Sequence, residues 1–353
     1  MDEFQKARQM VFPRSVLVGH GVLDQLGNVC KELELDGPGL VVTGPHTRAI
    51  AGDHAGKVLA GAGVKFEWVT VEGASEASVA QVQQAVKQAR ATFAVGVGGG
   101  SVIDATKLGS YRAKVPFLSV PTSASHDGIT SPRASIRDAR GSASIAAQAP
   151  LAILADTSII VKAPFRMLAS GCGDVLSNIN ALLDWGLAHR LRDEEFSTMA
   201  AALSQNAADT ILDNAEDVRP GLEESAWVVT KALIVSGVSM SVAGSSRPAS
   251  GAEHMVSHTL DKLAPGRALH GEQCGVATIL ALYLHGADWE HVRNALRAIG
   301  CPTTARELQI PRETLVESLM QAHRVRPDRY TILGDRGLSR EAAERLVHVT
   351  GVA

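Results

Sequence analysis

The chain has 353 residues, 37 of them acidic and 34 basic, for a formal charge of −3 at pH 7. That balance gives no ground for a nucleic-acid or membrane-surface partner, and no run of about 18 consecutive apolar residues offers a membrane span. The length allows two domains and a sizeable core, and 4% aromatic residues with 33 glycines suit packed α/β layers better than a β sandwich.

The N-terminus, MDEFQKARQMVFPRS, contains no apolar signal core. Residues 15–19 (SVLVG) read as a short strand, and a helical pattern follows over 22–34. GLVVT at 39–43 is an apolar run ended by Gly44-Pro45, a strand followed by a turn. A helix is expected over 47–62, a strand over 65–71 and a helix over 77–91, the last with Val79, Val82, Ala85 and Val86 on one side. The next apolar strand covers 93–97. This β-α-β-α-β order predicts a doubly wound parallel sheet. A helix at 102–111 and a strand at 116–120 extend it, and residues 132–154 alternate loosely, as a hairpin plus one more strand would. From Pro164, a residue suited to a helix start, the pattern is helical throughout. Helical segments follow over 194–213, 222–242, 250–262, 271–298, 312–323 and 338–348, almost without strand signals. The expected fold class is therefore an α/β nucleotide-binding domain at 1–163 followed by an all-helical domain at 164–353.

Three stretches carry chemistry. GVGGGSVID at 96–104 follows a strand and opens a helix. Glycines let backbone N–H groups approach a phosphate, and a helix N-terminus favours anions. The stretch departs from G-x-G-x-x-G, with Ser101 at the third glycine position, and it sits on the third α/β unit. Gly98, Gly99, Gly100, Ser101 and Val102 are candidate pyrophosphate contacts; a plain tight turn is the alternative. Thr122, Ser123, Ala124 and Ser125 follow the next strand, at the end of such sheets where ligands bind. The third stretch, SGAEHMVSHTLDKLAPGRALHGEQ from Ser250, holds His254, His258 and His270. His254 and His258 are four apart and share a helix face. Two such imidazoles with one distant carboxylate would make a catalytic metal site with an open position; ordinary helix residues are the alternative. Asp127, in the loop SASHDGIT, and Asp174, in ASGCGDVLSN, are the acidic candidates, although Asp174 at a helix start also reads as a cap. His126 and Cys172 are further candidates beside them. The four cysteines, Cys30, Cys172, Cys274 and Cys301, form no CxxC pair and fit reduced thiols of a cytoplasmic protein.

Taken together, GVGGGSVIDATK, SVPTSASHDGITSPRASI, SGCGDVLSNI, SSRPASGAEHMVSH and ALHGEQ resemble the superfamily of iron-containing alcohol dehydrogenases, glycerol dehydrogenases and dehydroquinate synthases. Within it the set is most similar to the glycerol-1-phosphate dehydrogenases of the archaeal type, as is RPDRYTILGDRGLS near the C-terminus. The resemblance implies one catalytic metal, usually zinc, held by Asp174, His254 and His270. It places NAD or NADP against Gly98 to Val102, Thr122 to Ser125 and Ser131, and substrate against Asp127, Asp174 and His258. The catalytic roles it implies fall on Asp127 and His258. The activity it implies is NAD(P)H-dependent reduction of dihydroxyacetone phosphate to sn-glycerol 1-phosphate, the backbone of archaeal-type phospholipids. It also implies a cytoplasmic homo-oligomer whose partners are small molecules. A glycerol dehydrogenase acting on unphosphorylated polyol and a dehydroquinate-synthase-like cyclase are the alternatives. For the substrate phosphate, the sequence offers Arg247, with Ser245, Ser246 and Ser250 around it.

Overall fold

Residues 9–138 and 141–353 are described by a computed structural model. Six strands, β1 (Ser15–Gly19), β2 (Gly39–Thr43), β3 (Phe66–Thr70), β4 (Phe93–Gly98), β5 (Phe117–Pro121) and β8 (Ala152–Asp156), form one parallel sheet in the order β1-β8-β5-β4-β2-β3. The four inner strands are buried along their whole length, whereas the edge strands β1 and β3 are partly exposed. Burial on both faces is why the inner strands read as unbroken apolar runs instead of alternation. Successive residues nevertheless serve opposite layers. Leu40 and Val42 pack on one face with Val82 and Ile103, and Val41 packs on the other with Leu26 and Leu59.

The antiparallel hairpin of β6 (Arg133–Asp138) and β7 (Gly141–Ala146) lies outside this sheet. Residues 139–140, between the two strands, are outside the described residues, as are residues 1–8 of the N-terminal stretch read for a signal core. The hairpin packs on the helix Gly100–Ala113 through β6 and on the helix Ala252–Leu263 through β7, so it bridges the sheet to the helical half.

Beyond β8 the chain is helical, and the segment boundaries follow capping chemistry. The pattern at 271–298 is two helices, His270–His285 and Trp289–Ile299. Gly286, at φ 66°, closes the first in the left-handed region that glycine adopts without strain, and the Asp288 side chain caps the second. The segments at 22–34 and 47–62 begin as a 3₁₀ turn (Val22–Gln25) and a π turn (Arg48–Gly52) before becoming α-helical. Helix Glu223–Ala243 is long and apolar enough to cross a membrane by length and composition. Thr230, Lys231 and its serines interrupt the apolar run, which hides it from a count of consecutive apolar residues. Most of it is buried, packed against Thr198–Asp213 and Phe165–Leu176, as a core helix is. The largest core cluster joins these helices to Ile153 and Ala155 of β8 and to Ala124 and Ile129 after β5.

Candidate active site

A cleft of about 530 Å³ opens where the loops after β4 and β5 face the helices. The chain steps outward from β2 to the edge strand β3, then crosses back over β2 to β4 and continues in that direction to β5 and β8. That reversal marks the crevice in which such sheets bind ligands, outside the strands' carboxyl ends.

The glycine turn closes β4. Gly99, extended at φ −70°, ψ 178°, caps the helix Gly100–Ala113 without any side-chain hydrogen bond, which leaves the first N–H groups of that helix to an outside acceptor. Gly99, Gly100, Ser101 and Val102 line the cleft, and Ser123, Ser125 and Ser131 face them. Gly98, Thr122 and Ala124 lie behind this wall, where the Thr122 N–H donates to Gly98 O at 3.0 Å and Ala124 is fully buried in the core. His126, absent from the expected cofactor contacts, sits against the turn. Its Nδ1 accepts from Gly128 N at 3.0 Å, so the neutral ring carries its proton on Nε2, and Nε2 lies against Gly100. Burial, ahead of its neighbours' charges, holds the His126 pKa below the ordinary value.

At the other side of the cleft two helices cross closely enough to join residues far apart in the chain. A Cβ on Gly271 would stand 1.8 Å from Ser170 O, and one on Gly173 would stand 2.4 Å from Gly271 O, so only glycine permits this approach. The crossing brings Asp174, on Phe165–Leu176, to His270, at the start of His270–His285. Asp174 Oδ1 lies 3.6 Å from His270 Nε2 and 3.7 Å from His254 Nε2. These atoms and Cys274 Sγ all lie within 4.8 Å of one another.

Both ring orientations are fixed from behind. His254 Nδ1–H donates to the buried carboxylate of Glu253 at 2.8 Å, and Glu253 is itself held by Asn180 and by the Gly251 N–H. Ser257 Oγ donates to Gln273 Oε1 at 2.6 Å and therefore accepts from His270 Nδ1–H at 3.0 Å. In its neutral form each imidazole would present the Nε2 lone pair toward Asp174 Oδ1, a buried oxygen with no hydrogen-bond partner among the described residues. Burial opposes charge on both rings, but Cys274 and Glu253 together carry the His254 pKa well above the ordinary value, and Cys274 and Asp174 together carry His270 to about 9, so a divalent cation would bind here by displacing protons. The cluster thus draws positive charge to itself. A borderline-soft divalent cation suits this set of one carboxylate oxygen and two imidazole nitrogens.

Asp127 and His258 border the cluster. The Asp127 N–H donates to Asp174 Oδ2 at 2.9 Å, and Ser236 Oγ donates to Asp127 Oδ2 at 3.0 Å. Burial, then the negative charge of Asp174, raises the Asp127 carboxyl to about 7. His258 lines the cleft with its ring 5.8 Å from that of His270 and 6.5 Å from that of His254, and its buried Nδ1 has no partner. Burial and then the two neighbouring imidazoles keep it neutral, with a pKa well below the ordinary value. The chain carries Asp127 into place through a buried rivet: Lys107 Nζ donates to Asp104 Oδ1 at 3.1 Å, Gly128 O at 2.6 Å and Arg133 O at 2.5 Å.

Two expectations from the sequence change. Cys172 is buried and stands outside the cluster, and the thiol that joins it is Cys274, one helical turn after His270. Arg247 does not reach the cleft as a free donor. It is buried, its guanidinium forks onto the Glu194 carboxylate, and its remaining Nη1 donates to Tyr330 O at 2.9 Å. The residues that sequence reasoning missed, Glu253, Ser257 and Ser236, sit one to three positions from chosen ones or on another helix. Glu253, directly before His254, carries the one local signal: a carboxylate beside a ligating histidine.

Fold and cleft together define the class as the nicotinamide-linked dehydrogenases of the iron-containing alcohol dehydrogenase type. The family model for iron-containing alcohol dehydrogenase matches residues 17–164. Among solved structures, a probable glycerol dehydrogenase from Sinorhizobium meliloti superposes with a TM-score of 0.79 at 18% identity, covering 98% of each chain. Glycerol dehydrogenase from Schizosaccharomyces pombe gives 0.78 at 20% identity, covering 99% of this chain and 92% of the other. Sequence relatives are far nearer. Glycerol-1-phosphate dehydrogenase [NAD(P)+] of Methanosarcina mazei is 54% identical over 98% of this chain and 97% of its own. The enzyme of that name from Methanothermobacter thermautotrophicus is 52% identical over 98% and 99%. The chain belongs to the glycerol-1-phosphate dehydrogenases [NAD(P)+], and it is an oxidoreductase.

Proposed function

We propose that this protein reduces dihydroxyacetone phosphate to sn-glycerol 1-phosphate with NADH or NADPH, and that its resident metal is one zinc ion. The observation that carries the reading is the unpartnered, buried Asp174 Oδ1 facing two Nε2 lone pairs in the cleft that the glycine turn also lines. Asp174, His254 and His270 would hold the metal, which when bound supplies Lewis-acid polarisation of the substrate's ketone oxygen.

The chain's own residues do the rest. The N–H groups after Gly99 and the hydroxyls of Ser123, Ser125 and Ser131 take the phosphate and nicotinamide side of the cofactor, with Gly98, Thr122 and Ala124 shaping the wall behind. Substrate lies against Asp127, Asp174 and His258. The nicotinamide would supply the hydride that reduces the ketone carbon, and the proton that completes the alcohol would come from the side lined by Asp127 and His258. His258, neutral and unpartnered at Nδ1, is available to hydrogen-bond a substrate hydroxyl. We place the cofactor domain at 1–163 and the metal- and substrate-binding domain at 164–353. We assign the product to phospholipid-backbone synthesis in the cytoplasm, by a homo-oligomer without nucleic-acid or membrane partners.

The test is steady-state oxidation of NADH with dihydroxyacetone phosphate and with dihydroxyacetone. The reading expects the phosphorylated ketone to have the far higher kcat/KM. Equal values would favour a glycerol dehydrogenase.

A further inference from the structure

We propose that Arg326 recognises the substrate's phosphate, with Arg329 and Ser246 as positioning residues; this rests on the reading of the substrate as a phosphorylated ketone. Arg326 lines the same cleft as Ser246, Ser250, His254 and His258. The one hydrogen bond of its guanidinium among the described residues runs from Nη1 to Ser246 Oγ, at 3.1 Å. A guanidinium has five N–H donors in a fixed fork, so most of this one stays available to a ligand.

Arg329 holds the arrangement from behind. It donates from Nη2 to the same Ser246 Oγ at 3.0 Å and from Nη1 to Ser250 O at 2.6 Å. Both arginines come from the short stretch after the 3₁₀ turn Ala322–Arg324, and both contact the segment that leads into the helix bearing His254 and His258. Geometry therefore couples this guanidinium to the wall against which substrate is read.

The charges that act on it are of both signs, Arg133 and Arg247 against Asp328 and Glu253, with Arg133 the strongest of them. Arg247 is neutralised by Glu194, and Arg133, which also lines the cleft, is bound to Ser144 through a hydroxyl and a carbonyl. Neither Arg326 nor Arg329 forms an ion pair among the described residues. Burial, followed by the charge of Arg133, pulls the Arg326 pKa down to about 10; burial, followed by Arg326 itself, pulls Arg329 to about 9. Packed, partly desolvated cations that no carboxylate engages in an ion pair among the described residues accept an anion strongly, and a phosphate dianion matches the guanidinium fork. Of the carboxylates lining the cleft, Asp261 gives its Oδ1 to Gln273 Nε2 at 3.3 Å, Asp104 is paired with Lys107, and Asp127 accepts from Ser236.

The same chemistry would suit a phosphate of the cofactor, and kinetics separate the two sources. In Arg326→Ala, the KM for dihydroxyacetone phosphate should rise roughly ten- to a hundredfold, the loss of one or two charge-assisted hydrogen bonds. Competitive inhibition by inorganic phosphate should weaken in parallel, while the KM for NADH stays as in the parent. R326K, which keeps the charge without the fork, should recover part of both effects, and it carries the test if the alanine variant does not fold. An unchanged KM for dihydroxyacetone phosphate with unchanged phosphate inhibition would overturn the assignment. So would a rise confined to the KM for NADH or NADPH, which would give the guanidinium to the cofactor. The underlying substrate reading fails separately, if the parent enzyme itself shows no preference for dihydroxyacetone phosphate over dihydroxyacetone.

Discussion

Gly99 is the glycine of the turn that packing does not explain. A Cβ on Gly98 would meet Val102 at 2.6 Å and one on Gly100 would meet His126 Nε2 at 1.8 Å, but one on Gly99 would meet only the mobile tip of Ser123, at 3.2 Å. Its backbone, at φ −70°, is open to any residue. Gly99→Ala should therefore fold with a Tm close to the parent and still raise the KM for NADH, because the methyl stands where a phosphate approaches the first N–H groups. An unchanged KM would return the turn to a purely structural part; the Tm and the cofactor KM are the two readings. The three histidines divide in the same way. His254 and His270 share the 4.8 Å cluster with Asp174, and His258 stands outside it. His254→Ala and His270→Ala should lose bound metal, whereas His258→Ala should keep it and lose turnover on dihydroxyacetone phosphate. Metal analysis of the purified variants decides, and loss of metal from His258→Ala would reverse the assignment. The spacing of His254 and His258 was legible in the sequence because four residues are one helical turn. The fate of Arg247 was not, because its partner Glu194 lies 53 positions away and only folding brings the two together.

At the scale of elements, Lys107 is the residue to remove. It is fully buried, and its ammonium joins the helix after the glycine turn to Gly128 O and Arg133 O, while the paired Asp104 receives the Ser135 N–H at 3.1 Å. Lys107→Met would strand the Asp104 charge and two carbonyls without their donor. Breaking such a pair costs about 3–5 kcal/mol. Urea unfolding should register a loss of that size, and a loss below about 1 kcal/mol would show that the loop bearing Asp127 is held otherwise. Most strands were readable, since GLVVT, FAVGVG and FLSVP are largely apolar and flanked by turn residues, whereas AILAD was read only as one more strand within the loosely alternating 132–154. Helix ends were less so. The 271–298 pattern keeps its apolar rhythm across Gly286, and the break there depends on a left-handed backbone and an Asp288 cap. The parallel order β1-β8-β5-β4-β2-β3 could not be read, because no local pattern states which strands are neighbours.

Across the whole molecule, the cleft exists because the sheet's loops and the helical core meet along one wall, and one buried carboxylate ties much of that wall together. Asp184 accepts from Ala252 N at 2.7 Å, at the start of the helix bearing His254, and from Ile332 N at 2.6 Å, beyond the Arg326 segment; His285 Nε2 stands 3.0 Å away. The helix bearing His254, the arginine segment and the helix that begins at His270 are thereby fixed to a common point. This explains how residues from Gly99 to Arg326 come to line a single cleft. The sequence motifs showed the parts of the site, but their relative placement follows from glycine crossings and buried anchors that no local pattern contains. The central claim concerns reaction and product. The most direct measurement is to reduce dihydroxyacetone phosphate with NADH, count the NADH oxidised, and offer the product to an enzyme specific for sn-glycerol 3-phosphate. The account predicts one NADH oxidised per glycerol phosphate formed and a product which that enzyme does not oxidise. No net NADH oxidation, or a product that is the sn-3 isomer, would contradict it.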